Sequence, residues 1–249
     1  MKVSIITVAF NSAQYIEDCI KSVLSQSYPN IEYIVIDGGS TDGTVDIIKK
    51  FESKISKWIS EPDEGIYDAL NKGIKLASGT VIGILHSDDF YTSNKVLEKV
   101  SNVFIENPNA EGCYGDLCYV YPNNSNKIIR YWRAGDFDRE KTKYGWMPPH
   151  PTCFFKTEVY KNYGRFDKSY KIASDYEILL RFIYKHKIKL IYLNEVITAM
   201  RLGGKSNKSV SNILMKMRED YKIMKKYRLP AYLTLPFKNL RKLPQFFIR

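Results

Sequence analysis

The run Ile34-Val35-Ile36-Asp37-Gly38-Gly39-Ser40-Thr41-Asp42-Gly43-Thr44 constrains the fold more than any other stretch of the chain. Three β-branched residues in succession read as a strand buried on both faces, which places it inside a parallel sheet covered by helices. The strand breaks at Asp37. Gly38, Gly39 and Ser40 then turn the chain, and Thr41 and Asp42 are positioned to cap a helix through Val45–Phe51. A carboxylate therefore stands at the carboxyl end of a strand, the edge at which open α/β sheets hold their ligands. The glycines beside it permit close backbone approach to a flat or anionic group, although a tight turn needing positive φ is the plainer reading of the same residues.

The flanking sequence repeats the pattern. Lys2–Ala9 and Trp58–Ser60 read as strands, the second ending at Glu61-Pro62-Asp63, and Val81–Leu85 as a buried strand ending at His86-Ser87-Asp88-Asp89. Between them, Asn11 or Ser12 can cap a helix with Ile16, Ile20, Val23 and Leu24 at helical spacing, and Ile66–Ala77 forms another, stopped by Ser78-Gly79. This β-α-β-α-β-α-β order predicts an α/β fold with right-handed crossovers and a Rossmann-like, mostly parallel sheet flanked by helices. The second half is more mixed. Gly112–Tyr121 and Ile128–Trp132 read as a hairpin around an Asn-Asn-Ser turn, Thr152–Lys156 as a short extended run after a Pro-rich loop, Ser174–His186 as a helix and Ile188–Leu193 as a final strand.

Composition and missing motifs narrow the chemistry. With 249 residues and 44% hydrophobic content the chain can build a sizeable core, and disorder is not expected. Cys19, Cys113, Cys118 and Cys153 include no CxxC pair, which points to reduced thiols rather than a zinc site or disulfide framework. The sequence enters a strand at once without a secretory segment, and no apolar run reaches spanning length, so a soluble or peripherally attached protein is expected. There is no GxxxxGK[ST] loop, no GxGxxG after the first strand, no HExxH and no GxSxG. Phosphate must be held in another way. Asp88-Asp89 at a strand end, where the chain turns, suits Mg²⁺ or Mn²⁺ bridging a diphosphate, with one carboxylate on the metal and its neighbour on a hydroxyl; an Asp-Asp dipeptide is also common in plain turns.

The segments TVAFN (Thr7–Asn11), VIDGGSTDGT, SEPDEGIYDALNKGIKLASG, HSDD and ASDYEILLR, in that order, resemble a family 2 glycosyltransferase with the GT-A fold, most closely the bacterial enzymes that build capsule, exopolysaccharide or lipopolysaccharide repeats. The resemblance spans residues 2–205. It implies an inverting transfer of a sugar from a nucleotide-diphosphate donor, UDP rather than GDP, to a hydroxyl of a glycan acceptor, lipid-linked, with Mn²⁺ or Mg²⁺ as cofactor. By the same resemblance Thr7, Ala9 and Asn11 lie along the nucleotide, Asp37 pairs with the base beside Gly39, and Asp63 contacts the nucleotide again. Asn71, Lys72 and Gly73 lie near the diphosphate, with an i,i+4 pair to Asp68 as the other role open to Lys72. Asp88 is assigned to the ribose and Asp89 to the metal. The chain departs from the pattern at His86, where relatives often carry Asn.

Asp175 aligns with the catalytic base, which takes the acceptor hydroxyl's proton; a first-turn helix carboxylate is its plainer role, and Glu177 is the alternative base. Arg201 resembles the basic group near the diphosphate, Gly203-Gly204 a loop hinge, and Trp146 and Tyr176 are aromatic residues able to stack on acceptor sugars or to sit in the core. The implied organisation is a catalytic domain over 1–204, with a nucleotide-sugar half (1–90) and an acceptor half (91–204), followed by a basic amphipathic C-terminal extension, 205–249.

That extension holds twelve Lys and Arg against Glu219 and Asp220, so it carries +10 of the net +11. Ile213, Leu214, Met217, Tyr221 and Met224 recur at helical spacing among its cations. It reads as a segment lying on an anionic membrane surface, which would put the protein in the cytoplasm on the inner face of a bacterial plasma membrane. A helix packed on the catalytic domain is the competing reading. Nucleic acid is not an expected partner, because no nucleic-acid module accompanies the basic cluster. Outside the transferase reading, three classes remain: a sugar-nucleotide or membrane-binding protein of the same fold without turnover, a two-carboxylate glycosidase needing no metal, and a nucleotidyltransferase, which lacks its Gly/Arg/Lys-rich N-terminal loop here.

Overall fold

The computed structural model describes residues 1–203, 210–241 and 245. Four strands, β1 (Val3–Ala9), β2 (Ile31–Asp37), β3 (Lys57–Ser60) and β4 (Val81–Ile84), form a parallel group in the order β3-β2-β1-β4. Helices α1 (Ile16–Leu24), α2 (Thr44–Lys50) and α3 (Ile66–Leu76) connect them. The strands read as unbroken apolar runs because both faces are covered. Ile6, Val8, Ile34, Ile36, Ile82 and Ile84 pack with Leu70 and Ile74 of α3, while Val3, Ile5, Tyr33, Val35 and Val81 pack with Ile16, Cys19, Ile20 and Val23 of α1. Gly73 is a glycine because α3 lies so close to β1 that a β-carbon there would overlap the Ile6 side chain; it serves this packing rather than a diphosphate.

At the edge opposite the site, Glu32 locks strand ends together. Its buried carboxylate accepts from Ser4 Oγ at 2.6 Å, Ser78 N at 2.7 Å and Lys57 Nζ at 3.0 Å. Burial works against its charge, but these donors outweigh burial and bring its pKa down to about 2.

Beyond β4 the sheet becomes mixed. β5 (Asp89–Tyr91), β6 (Gly112–Tyr121), β7 (Asn124–Trp132), β8 (Phe154–Lys156) and β9 (Leu190–Arg201) extend it in the order β4-β8-β6-β9-β5, with β7 on β6. β6 and β9 are parallel; the β4–β8, β8–β6, β6–β7 and β9–β5 pairs are antiparallel. The expected hairpin is present, but β7 starts at Asn124, which pairs with Tyr121 across an irregular stretch before Ile128 meets Val120. β9 runs on to Arg201, past the irregularity opposite Gly115–Leu117 that accommodates Asn194-Glu195.

Four elements were not foreseen: β5, α4 (Val96–Glu106), α5 (Thr157–Tyr163) and the helix over Ala231–Leu240. Helix α6 (Ser174–Leu180) continues as a wider π-type turn over Arg181–Lys185. The last two helices are α7 (Val210–Lys226) and α8 (Ala231–Leu240). Ile223, Met224, Tyr227, Leu229 and Ala231 belong to the main core, so α7 and α8 pack on the residues before 204 rather than standing apart from them. α8 lies over a 3₁₀ stretch at Arg139–Tyr144, where Thr234 Oγ1 donates to the Lys143 carbonyl at 2.7 Å and Arg241 Nε to that of Tyr144 at 3.0 Å. All four cysteines are free and buried.

Candidate active site

The parallel strands deliver three loops to one edge of the sheet, and side chains knit these loops together. The Asn11 N–H donates to Ser40 Oγ at 2.8 Å and Asn11 Oδ1 accepts from Thr41 N at 2.9 Å. Asn11 takes the left-handed conformation, φ 48°, which its short polar side chain tolerates. Ser87 Oγ meets Ser12 Oγ at 2.9 Å, joining the β4 loop to the β1 loop. Asp42 accepts the Thr44 N–H at 3.0 Å, but the N-cap of α2 is Gly43, so Asp42 bonds the first helical residue from one position ahead of the cap.

Several expected contacts are redirected. Thr7 is fully buried on the α1 side of the sheet, where its Oγ1 accepts from the Tyr33 hydroxyl at 3.1 Å, so its side chain does not reach the edge. Ala9 is 5% exposed and its carbonyl accepts the Gly38 N–H. Asp37 is wholly buried and already saturated: it accepts from Ser40 Oγ at 2.5 Å, Gly39 N at 3.1 Å, Ser40 N at 3.0 Å and Ser60 Oγ at 2.7 Å. It fixes the turn, in which Gly39 has φ +82°, and ties β2 to β3, so these four bonds give its carboxylate a structural role inside the fold. The carboxylate that does face this edge is Asp63. It lies directly against Gly38, where any β-carbon would collide with it, and is otherwise held by the Gly65 N–H at 2.7 Å. Gly38 thus opens a space that a carboxylate from the β3–α3 loop fills.

The α3 residues are occupied as well. Asn71 makes a two-way bond with the Phe166 backbone, Nδ2 donating at 2.9 Å and Oδ1 accepting at 3.0 Å. Lys72 pairs with Glu61 at 2.7 Å and with Asp68 at 3.5 Å. Both hold loops in place. Trp146 is core: its Nε1 donates to the Ala134 carbonyl at 2.9 Å and its ring meets Tyr114 edge-on. Tyr176 is 5% exposed beneath Lys238, whose Nζ lies 3.3 Å from the ring centroid.

Asp89 and Asp175 stand apart from these. Asp89, the first residue of β5, is fully buried, and both its carboxylate oxygens lack a hydrogen-bond partner among the described residues. Burial first, then the neighbouring Asp88 charge, pushes its pKa well above the usual carboxylate range, with Arg201 pulling the other way. Arg201, at the end of β9, donates to the Asp88 carbonyl at 3.0 Å and to Asp18 of α1 at 2.5 Å, and its guanidinium lies over the Tyr15 and Phe90 rings. It braces the Asp88-Asp89 corner. Gly203, with φ +114°, follows directly; Gly204 lies outside the described residues.

Asp175 is in the first turn of α6 and its Oδ1 is buried without a partner. Burial brings the His86 pKa below its ordinary value, against the nearby charges of Asp88 and Asp175. His150, its ring 6.5 Å from that of His86, completes the group; burial brings its pKa down to about 4 despite Asp175. Glu177 is different in kind. Fully buried, it accepts from Arg181 at 2.6 Å, Lys226 at 2.8 Å and the Tyr227 hydroxyl at 2.5 Å, which leaves it no role as a base.

The sequence model of glycosyl transferase family 2 matches residues 4–164. The chain belongs to glycosyl transferase family 2. An uncharacterized glycosyltransferase of Mycobacterium tuberculosis is 34% identical over 181 residues, covering 72% of this chain and 68% of the relative. A PGL/p-HBAD biosynthesis glycosyltransferase of Mycobacterium bovis is 28% identical over 217 residues, 86% of this chain and 82% of its own. Among solved structures, S. aureus TarS in complex with UDP-GlcNAc superposes with a TM-score of 0.73 at 21% identity, over 99% of this chain and 72% of that one. A mannosyltransferase from Pyrobaculum calidifontis, in complex with GDP-Man and Mn²⁺, gives a TM-score of 0.63 at 18% identity, over 98% of this chain and 74% of that one. The fold is thus the GT-A α/β fold that the motifs implied.

Within this glycosyltransferase, Asp175 and Arg201 lie beyond the matched segment, and so does Glu219, one of two supports that sequence reading missed. Glu219 of α7 accepts three consecutive backbone N–H groups, from Lys171 at 2.8 Å, Ile172 at 3.0 Å and Ala173 at 2.9 Å. The Tyr67 hydroxyl donates to the Ile172 carbonyl at 2.7 Å and accepts from Ser174 N at 3.2 Å. The chain entering the helix of Asp175 is thereby clamped from both sides. A cleft of about 320 Å³ opens beside it, between Glu64–Asp68 and Lys168–Lys171.

Proposed function

We propose that this glycosyltransferase moves a sugar from a UDP-sugar to a hydroxyl of a polyprenyl-linked glycan, with inversion, in cell-surface polysaccharide biosynthesis. The observation that carries the reading is that Asp89 and Asp175 keep buried carboxylate oxygens, both of Asp89's and Oδ1 of Asp175, without a partner among the described residues. Buried polar atoms in a folded protein are almost always paired, so two orphaned carboxylates at one sheet edge imply partners that arrive with substrate. The UDP-GlcNAc in the TarS complex supports the nucleotide end of the proposal, and the PGL/p-HBAD biosynthesis glycosyltransferase among the relatives supports a role in biosynthetic sugar transfer.

Asp89 fits a divalent cation that enters with the diphosphate. No group of three His, Cys, Asp or Glu able to hold an ion by itself occurs among the described residues. Asp89 would be the residue to hold such an ion, and a hard carboxylate oxygen is the donor type that Mg²⁺ or Mn²⁺ takes. Such an ion, when bound, screens the negative charge of the departing diphosphate as a Lewis acid. The chain's own groups do the rest. Asp63 accepts the N3–H of uracil on the Gly38 face, and Asp88 takes the ribose. Asp175 Oδ1 accepts the proton of the acceptor hydroxyl as that oxygen bonds to the anomeric carbon. The bond from that carbon to the diphosphate oxygen breaks on the opposite face, with the electron pair leaving on UDP, which gives inversion. His150, whose pKa burial brings down to about 4, is neutral at physiological pH.

Asp175→Asn tests the division of roles. It should keep Mn²⁺-dependent UDP binding within about twofold and lower acceptor-dependent UDP release from a UDP-sugar panel by about a hundredfold or more, in the range of a lost general base. Loss of UDP binding in Asp175→Asn equal to that in Asp89→Asn would contradict it.

A further inference from the structure

The two acids among residues 205–249, Glu219 and Asp220, are both turned inward. Glu219 holds the 171–173 backbone, and Asp220 pairs with Lys238 of α8 at 2.7 Å. What α7 presents outward is cationic and apolar. Arg218, Lys222 and Lys225 are exposed, and so are Ile213 (46%), Leu214 (52%), Met217 (40%) and Tyr221 (43%). At helical spacing those four apolar residues fall within an arc of about 100°, with the three cations along one flank. α8 is divided in the same way. Ala231, Thr234 and Lys238 face the domain, with the Lys238 backbone packed on Gly145, while Tyr232, Leu233, Phe237 and Leu240 face away. Eight of the fifteen large apolar side chains exposed among the described residues therefore sit on two helices of 17 and 10 residues.

We infer that the outer faces of α7 and α8 dock on an anionic phospholipid bilayer. The apolar stripe enters the headgroup–acyl boundary and the flanking cations meet lipid phosphates. Lysine is depleted from protein–protein interfaces, so a stripe edged by Lys222 and Lys225 fits lipid better than a second copy of the chain. Neither helix is long and apolar enough to cross a membrane, so the contact is interfacial. The inner face of α7 carries Glu219, so the docked surface is the reverse side of the helix that clamps the chain entering α6. An acceptor tethered in the bilayer would be presented close to Asp175; that consequence rests on the polyprenyl-linked reading above, whereas the docking does not.

The test is co-sedimentation of the full chain with phosphatidylcholine vesicles and with vesicles containing roughly 30% phosphatidylglycerol. Binding should be at least about tenfold tighter to the anionic vesicles and fall steeply with salt. Leu233→Ser/Phe237→Ser/Leu240→Ser and, separately, Lys222→Glu/Lys225→Glu should each weaken it by about tenfold or more, with thermal midpoint and UDP binding unchanged. Equal partition to both vesicle types, or no binding, would overturn the inference. So would a concentration-dependent dimer in sedimentation velocity that the triple variant abolishes, since the face would then belong to a second copy. Loss of vesicle binding with UDP binding intact cannot be confused with failure of the catalytic reading.

Discussion

Removing the Glu177 carboxylate should damage the fold, whereas neutralising Asp175 two residues earlier should not. Glu177 is fully buried and is shared by Arg181, Lys226 and Tyr227 at 2.6, 2.8 and 2.5 Å. In Glu177→Ala those donors lose their acceptor, and breaking a buried charge pair from one side costs about 3–5 kcal/mol. For a domain of this size each kcal/mol moves the midpoint by about 2–4 °C, so the expected drop is about 6–20 °C. Asp175 is half-buried with no partner on its Oδ1, and Asp175→Asn should stay within about 2 °C of the parent.

The pH dependence gives a second readout. Burial opposes the Glu177 charge, but Lys226, Tyr227 and Arg181 outweigh it and hold its pKa below the ordinary value of 4.5. A carboxylate with a depressed folded pKa contributes stability that is present above its unfolded pKa and lost as pH falls through the folded one. The gap between parent and Glu177→Ala should therefore be full at neutral pH and shrink below about pH 4.5. The assay is thermal unfolding across pH alongside UDP calorimetry. A Glu177→Ala protein as stable as the parent, or an Asp175→Asn protein that is the less stable of the two, would refute the assignment of one carboxylate to structure and the other to chemistry.

Three further outcomes follow from the same geometry. Asp63→Asn should leave stability within about 0.5 kcal/mol but weaken UDP binding by about tenfold or more, while Asp37→Ala should cost stability of about 2–4 kcal/mol, measured by urea unfolding; the reverse pattern would return base recognition to Asp37. Glu219→Ala should lower transfer while sparing the affinity for UDP, read as a drop in kcat at constant donor KM, because it frees only the segment leading into α6; a matching rise in donor KM would argue against a positioning role. On acidification, the contribution of Glu32 should be lost between about pH 4.5 and pH 2, so Glu32→Gln should flatten the acid limb of the stability profile there; an unchanged limb would mean its hydrogen bonds do not hold the charge.

The parallel half of the fold was legible because its signals are local. β-branched runs stop at Asp, Gly or Ser, and β2 begins and ends where that pattern predicts. β5 was not legible: it is three residues long and pairs only with β9, more than a hundred positions away. At the site, the motifs located the loops correctly but not the direction of each side chain. Period-two alternation along β1 already puts Thr7 on the face of Ile5 and Ala9, toward α1, and that reading would have removed it from the nucleotide. The saturation of Asp37 depends on Ser60, and the role of Asp63 on the space left by Gly38, both contacts between distant segments. Glu219 offered no signal at all, since a carboxylate on an amphipathic helix reads as a solvated charge until the 171–173 backbone is seen to meet it.

The most direct test of the central claim, that the carboxyl edge of the sheet holds a nucleoside diphosphate with a divalent cation, is calorimetric titration of UDP and GDP into the full chain, first with Mn²⁺ and then with EDTA. The structure predicts saturable UDP binding at a stoichiometry of about one that EDTA removes and Asp89→Asn abolishes. Binding of neither nucleotide by a folded sample, or UDP binding indifferent to EDTA and to Asp89→Asn, would contradict it.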